Sequence, residues 1–219
     1  MNEVFLPTSL PTYVVNLPER TDRRLHIERE FSGRPEFDLH WVDACRAPRG
    51  ADGLWQSLLK IIAYADETGE SAILFCEDDH QFTPSYDRDR FFAHVAEAAR
   101  QGAHILLSGI GGFGHWVPVG RNRFWTDWFW CTQFMVVYRS AFRRILEADF
   151  GSADVADEFL SRVLPNKMVI FPFISVQRDF GYSDITASNN RPGEITCHFR
   201  NAERKGETYQ RIVEKYRLY

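Results

Sequence analysis

Short apolar strands alternate with amphipathic helical stretches through the first half of this 219-residue chain, and that alternation constrains the fold more than any other feature. Thr12-Tyr13-Val14-Val15-Asn16-Leu17 is a β-branched and aromatic run that reads as a buried strand. Pro18 follows at what the pattern predicts as a first helical position, with a helix to about Phe31. Phe37 to Val42 reads as a second strand. Gly53 to Thr68 is helical by period, with Leu54, Leu58, Ile61, Ile62 and Ala65 on one face and Gly69 as its stop. Ser71 to Cys76 is a continuous apolar strand, Asp87 to Gln101 another helix, and His104 to Ser108 another strand. Strands and helices in this order predict an α/β fold, a mostly parallel central sheet with helices on both faces. Such a Rossmann-like sandwich binds its ligands beyond the carboxyl ends of the strands.

The second half is less regular. Gly109 to Asp127 is rich in glycine and aromatics and predicts a long loop or hairpin over the site. Trp128 to Tyr138 reads as a strand, Ser140 to Glu147 as a helix capped by Ser140, Asp154 to Leu164 as a helix and Met168 to Phe173 as a strand. Tyr209, Ile212, Val213 and Tyr216 share one helical face in the tail. That tail is a docked terminal helix or a weak membrane-surface contact. The organisation predicted is one domain over 1–203, with a regular half at about 12–108 and a less regular half at about 109–203, and a terminal helix over 204–219 that belongs to the same domain.

Charge narrows the function classes. Lys and Arg total 26 against 30 Asp and Glu, a net charge of -4, which argues against a nucleic-acid partner. No apolar run approaches the roughly 18 residues of a membrane helix, and the first residues lack the basic start of a secretory signal. Cys45, Cys76, Cys131 and Cys197 form no CxxC pair, so free thiols in a soluble cytoplasmic protein are expected.

Glu77-Asp78-Asp79 is the sharpest chemical signal, because three successive carboxylates end an apolar strand instead of lying on a solvated helix face. Clustered carboxylates repel unless a cation or a hydroxyl-rich ligand satisfies them, and hard oxygen donors suit Mg²⁺ or Mn²⁺. An acidic turn ahead of a helix cap is the plainer alternative. In an extended chain Glu77 and Asp79 share one side and Asp78 takes the other. Arg20, Arg23 and Arg24 fall on one helix face beyond the first strand, as a phosphate-binding group or as a solvated basic face. Gly109-Ile110-Gly111-Gly112-Phe113-Gly114 has the spacing GxGxxG, but no helix can open at His115-Trp116-Val117-Pro118, so it reads as a loop near the site. Asp154, Asp157 and Glu158 stand at i, i+3 and i+4. They offer a general base, or they are acids complementing a helix dipole. His198 lies between apolar neighbours and is either structural or a ligand. Trp125, Trp128 and Trp130 supply flat apolar faces for a ligand or simply pack.

Together these segments resemble glycosyltransferase family 25, which includes lipopolysaccharide-type sugar transferases and collagen galactosyltransferases. Val15-Asn16-Leu17-Pro18-Glu19-Arg20-Thr21-Asp22-Arg23 matches the family's INLxxRxxR opening. Gly53 to Leu58 matches its glycine-led helix with a serine, and Ile73 to Asp79 its strand ending in EDD. Thr132 to Phe142 is similar to its strand-then-helix segment, and Gln177 with Ser183-Asp184-Ile185 to its closing Q…SDI element. The resemblance implies a GT-A fold, a nucleotide-sugar donor and a divalent metal, usually Mn²⁺. Carried onto this chain, it puts Val14, Asn16, Arg20 and Arg23 beside the nucleotide. Asp79 becomes the foremost metal ligand, Glu77 and Asp78 address metal, ribose or sugar, and His198 becomes a late metal ligand. It further implies an inverting transfer of a hexose, galactose or glucose, from a UDP-linked donor. The acceptor is a hydroxyl of a glycan, glycolipid or lipopolysaccharide-type molecule, so an acceptor on a lipid would put the enzyme at the inner membrane face. Asp157 is then the first choice as base, with Asp154 and Glu158 in reserve. Two other functions remain compatible with the residues: a nucleotide-sugar-binding protein without turnover, and a metal-dependent phosphohydrolase.

Overall fold

The computed structural model describes residues 9–182 and 191–218. The chain runs β1 (Leu10–Asn16), α1 (Thr21–Glu30), β2 (Phe37–Asp43), α2 (Gly50–Glu67), β3 (Ala72–Glu77), β4 (His80–Phe82), α3 (Arg88–Arg100) and β5 (Ile105–Leu107). Four short strands follow: β6 (Gly112–Phe113), β7 (Trp116–Gly120), β8 (Arg123–Thr126) and β9 (Phe129–Trp130). Then come β10 (Phe134–Tyr138), α4 (Arg139–Leu146), α5 (Ala156–Val163), β11 (Lys167–Ile170), β12 (Ser175–Gln177) and α6 (Glu194–Tyr216).

Eight strands form the central sheet in the order β2-β1-β3-β10-β5-β11-β8-β7, and all but β10 and β8 run in one direction. The chain steps from β1 outward to β2 and then back across β1 to β3. Right-handed crossovers therefore require α1 and α2 on opposite faces. Alternation along the strands completes the sandwich. Tyr13, Val15, Ile73, Phe75, Met135 and Val137 face a core closed by α2, α4, α5 and α6. Val14, Leu74, Cys76, Phe134 and Val136 face a second core, closed by α1 and α3 through Ile27, Phe91 and Val95. Each of these large apolar side chains contributes roughly 1.5–3 kcal/mol by leaving water.

Several local expectations are corrected. Pro18 does not open α1: it sits in a turn closed by the Arg20 amide on the Leu17 carbonyl, and the helix starts at Thr21. Ser140 is inside α4, where its hydroxyl donates to the Ala103 carbonyl and caps nothing. The span from Trp128 to Tyr138 is two strands in different sheets, because Cys131 adopts φ 78° and breaks the extended run between β9 and β10. The tail helix begins at Glu194, ten residues earlier than its expected start at Arg204. Its buried stripe is Ile195, Phe199, Ala202, Gly206 and Val213, whereas Ile212 and Tyr216 face outward. The Lys205 amine donates to the carbonyls of Phe113 and Gly114 and pins α6 to the hairpin region. Among the described residues, no helix is long and apolar enough to cross a membrane. Ser183-Asp184-Ile185 lies outside the described residues.

Candidate active site

The sheet has its topological switch between β1 and β3, where chain connections leave in opposite directions, and α/β sheets bind ligands beyond such a point. A cavity of about 910 Å³ opens there. Its floor is the carboxyl ends of β1 and β3. One wall is the Cys45–Pro48 segment, and the opposite wall comes from α5, α6 and the residues between β9 and β10. Gly53 and Ser57 explain the first wall. A Cβ at Gly53 would sit 2.3 Å from the Cys45 carbonyl oxygen, so only glycine lets the segment lie against α2. The Ser57 hydroxyl accepts from the Cys45 amide at 2.8 Å and donates to the Gly53 carbonyl, which fixes that approach.

The three carboxylates leave the strand in separate directions. β3 ends at Glu77 and the next two residues turn, so the extended geometry that would align Glu77 with Asp79 does not continue to Asp79, although both line the cavity. Glu77 accepts from the Thr132 hydroxyl at 2.6 Å. Antiparallel β10 makes that contact possible by placing its start beside the end of β3, where the Glu77 amide donates to the Gln133 carbonyl. Asp78 accepts from Asn16 Nδ2 and Arg23 Nη1, both at 2.8 Å. Asp79 Oδ2 accepts from Gln177 Nε2 at 2.9 Å and from Arg23 at 3.3 Å, while its Oδ1 is buried without a partner. Burial and the Asp79 charge push the Glu77 carboxyl well above the usual carboxylate range, against the opposing pull of the Thr132 hydrogen bond. Burial and Asp78 likewise raise Asp79, opposed by Arg23 and Gln177. Proton affinity held up by burial and by neighbouring carboxylates marks a place suited to a cation or to a hydroxyl-bearing ligand.

The expected arginine face divides. Arg23 is buried on Asp78 and Asp79, with its Nη2 on the Tyr182 carbonyl. Arg20 stacks over the Tyr182 ring at 4.4 Å. Arg24 points away, over Trp41 and beside Glu28. Of the three, Arg23 lines the cavity, and it does so already engaged by two carboxylates. Val14 is corrected as well: it is fully buried in the second core, and its neighbours Val15 and Asn16 reach the cavity instead.

Asp157 lines the same cavity from the first turn of α5. One oxygen accepts from the Glu158 amide, as expected of an acid at a helix N-terminus, and the other accepts from the Cys131 amide at 2.9 Å. Burial outweighs these hydrogen bonds, and the Asp157 carboxyl is raised. Asp154 has the opposite environment. It is bound to Arg162 at 2.7 Å and to the Gly151 amide at 2.8 Å, which hold its carboxyl below the usual range, and it does not line the cavity. A carboxylate so engaged is a poor base, so Asp154 leaves the candidate set. Glu158 lines the cavity from an exposed position.

His198 also lines the cavity, from the second turn of α6, with Nε2 at 3.8 Å from Glu194 and its ring against Trp130. Among the described residues, no group of three or more His, Cys, Asp or Glu side chains is gathered to cage a metal, so His198 does not join Glu77 and Asp79 in one set. Mg²⁺-like ions need no such cage, since they take one or two carboxylates plus phosphate oxygens and water. The orphaned Oδ1 of Asp79, beside the crowded Glu77, fits that kind of binding. The glycine run from Gly109 to Gly114 opens no helix. Gly109 packs on the Ser175 carbonyl, Gly111 on the Cys131 sulfur and Gly112 on the Trp130 ring.

Sequence reasoning missed Thr132, whose signal was only a polar pair, Thr132-Gln133, ahead of an apolar strand. It also missed the Cys131 amide and Tyr182, whose roles arise from contacts remote in the chain. Cys131 is a non-glycine residue in the left-handed region, a conformation that costs on the order of 1–3 kcal/mol and is concentrated at functional sites.

No protein-family model matches the chain. No curated protein matches it either. Solved structures do. A glycosyltransferase involved in the glycosylation of the major capsid of PBCV-1 is 12% identical, with a TM-score of 0.51 over 83% of this chain and 97% of that one. An apo UDP-glucose pyrophosphorylase is 9% identical, with a TM-score of 0.46 over 90% of this chain and 82% of that one. A mannose-1-phosphate geranyltransferase from Thermus thermophilus is 13% identical, with a TM-score of 0.41 over 74% of this chain and 73% of that one. The first of these likenesses carries the fold, a Rossmann-like α/β domain, and at this identity it carries the fold alone.

Proposed function

We propose that this chain is a glycosyltransferase that moves a hexose from a nucleotide-sugar, a UDP-hexose, to a hydroxyl of a glycan or lipopolysaccharide-type acceptor. The observation that carries this reading is one cavity at the switch point that is lined both by the carboxylates at the end of β3 and by Asp157 from the start of α5. At the end of β3 Glu77 and Asp79 are crowded, with a buried oxygen of Asp79 left over. From the start of α5 Asp157 enters the same cavity with a raised carboxyl, held by the Cys131 amide next to the Thr132 that binds Glu77. A fold in common with a glycosyltransferase supports the same reading.

In this reading the donor diphosphate lies over the ends of β1 and β3. Glu77 and Asp79 would hold a Mn²⁺ or Mg²⁺ shared with the phosphates, which when bound stabilises the negative charge of the leaving diphosphate. Asn16 and Arg23 fix Asp78, and Arg23 keeps a positive charge under the developing anion. Gln177 and Thr132 fix the two carboxylates that would hold the ion, by hydrogen bonds to Asp79 and Glu77. Asp157 takes the proton of the acceptor hydroxyl as its oxygen attacks the anomeric carbon, and the bond to the diphosphate breaks on the opposite face, an inverting displacement. Burial raises the affinity of Asp157 for that proton, and the Cys131 and Glu158 amides hold its two oxygens in place.

Thermal stabilisation by UDP, GDP and CMP compounds and their sugars, each with and without Mn²⁺, tests the reading, because a ligand bound only to the native state raises Tm. A rise with UDP or UDP-hexose that needs Mn²⁺ is expected. Asp79→Ala should lose the Mn²⁺-dependent part of the rise and keep a cooperative melt, because Arg23 retains Asp78. No rise with any nucleotide, or an undiminished metal response in Asp79→Ala, would overturn it.

A further inference from the structure

The tryptophan at the end of β9 is built unlike the others in its region. Trp125 donates its indole N–H to the Pro165 carbonyl and does not line the cavity, and Trp128 lies tilted against Trp130. Trp130 lines the cavity and keeps 39% of its surface exposed. A large aromatic residue left open at a cavity wall forgoes burial free energy unless something else covers it.

Its orientation is fixed from three sides. A Cβ on Gly112 would lie 2.7–3.3 Å from three atoms of the indole six-membered ring, so the glycine backbone serves as a flat backing for that ring. Backbone pairing across β6 and β9 and the Gly111 amide on the Trp130 carbonyl hold the main chain. His198 from α6 closes the third side, with ring centroids 5.7 Å apart and planes at 81°. Directly after Trp130 the chain turns through the left-handed Cys131, and that turn aims the Cys131 amide at Asp157. One strained residue thus sets both the position of the aromatic plate and a hydrogen bond to the carboxylate beside it.

We infer that Trp130 is the acceptor platform, on which a pyranose sugar lies by its apolar C–H face so that one of its hydroxyls reaches Asp157. This rests on the transferase reading above and narrows the acceptor to a carbohydrate with an apolar ring face, as against an amino-acid hydroxyl or a simple polyol. The physical reason is the pairing of a part-exposed, rigidly backed indole with carboxylates lining the same cavity. Glu158 and Glu194 both line the same cavity and can accept from hydroxyls of a sugar held there. Aromatic plate and polar rim is the arrangement that matches a pyranose, which is apolar on its faces and polar around its circumference.

The test uses the full chain labelled with 5-fluorotryptophan, whose six indoles give separate fluorine signals, with that of Trp130 assigned by its loss in Trp130→Phe. Methyl β-galactopyranoside, methyl β-glucopyranoside and methyl β-lactoside are titrated with and without UDP and Mn²⁺, against glycerol as an acyclic control. At least one pyranoside should shift the Trp130 signal saturably, and glycerol should not. By saturation-transfer contact with the same pyranoside, Trp130→Ala should weaken binding about threefold to tenfold and Trp130→Phe less. Both variants should keep the UDP-induced rise in Tm, which shows that they are folded with the donor side intact. No pyranoside moving the Trp130 signal, or equal sugar binding by Trp130→Ala, overturns the platform. Failure of UDP to raise Tm in the wild-type chain strikes the transferase reading instead, so the two failures are distinguishable.

Discussion

Two groups of acids stand at the end of β3 and at the start of α5, and the second is divided where the first is gathered. Glu77, Asp78 and Asp79 are consecutive at the end of a buried strand, so the backbone carries all three inward whatever direction each side chain takes. Arg23 offsets part of their repulsion through Asp78 and Asp79, yet Glu77 and Asp79 still hold raised carboxyls. Asp154, Asp157 and Glu158 are spaced around the start of α5, where chain direction changes residue by residue. Asp157 faces inward and is raised, Asp154 is bound by Arg162 and lowered, and Glu158 is exposed. A strand end thus concentrates charge, while a helix start sorts it. A cation site calls for the first and a lone proton acceptor for the second.

The sharpest break of this comparison is Asp157→Asn. As the proposed base, Asp157 should account for about 10²–10⁴-fold in kcat, with donor KM little changed. Its stability effect should run the other way. The folded carboxyl is raised above its unfolded value, so the native state binds the proton more tightly and wild-type stability falls as pH rises through the raised value. Asp157→Asn should therefore melt higher than wild type above that value and lose its advantage in acid. A loss of activity accompanied by lower stability at neutral pH would mark Asp157 as structural. Arg23→Met addresses the other triplet. Removing the partner of two buried carboxylates should cost about 3 kcal/mol in urea unfolding. Adding Asp78→Asn should restore part of it, because one fewer charge is left uncompensated. Independent, additive losses would show that Arg23 does not relieve the crowding.

How much of this was legible follows the same division. The alternation of strands and helices, the triplet at the end of β3 and the facing of helices to both sides of the sheet were readable, because burial imposes a period on the chain. Whether Val14 or Val15 reaches the cavity was not, since a continuous apolar run carries no parity. The partner of Arg23 lies 55 residues along the chain, at Asp78, and nothing local marks it. The break at Cys131 had no signal at all, because glycine or asparagine is the usual mark of a left-handed residue. The early start of α6 did have one. Ile195, Phe199, Ala202 and Gly206 are spaced as one helical stripe, masked by the poor helix formers Thr196, Cys197 and His198.

The smallest effect belongs to the acid that the helix start turns away from the cavity. Asp154 is held by Arg162 and the Gly151 amide, and its folded carboxyl lies below the ordinary value of 3.8. A depressed folded value contributes stability that is fully present above the unfolded one and is lost as pH falls through the folded one. Asp154→Asn should thus lower Tm slightly at neutral pH, and the gap to wild type should close in acid below about pH 3.8. Its kcat should stay at the wild-type level at every pH. Asp157→Asn differs in each respect: a large activity loss, a higher Tm, and a gap that grows as pH rises. If instead the two variants shift Tm in the same direction with the same pH dependence, the sorting of charge at the start of α5 is absent. Asp154 would then have to return to the set of candidate bases.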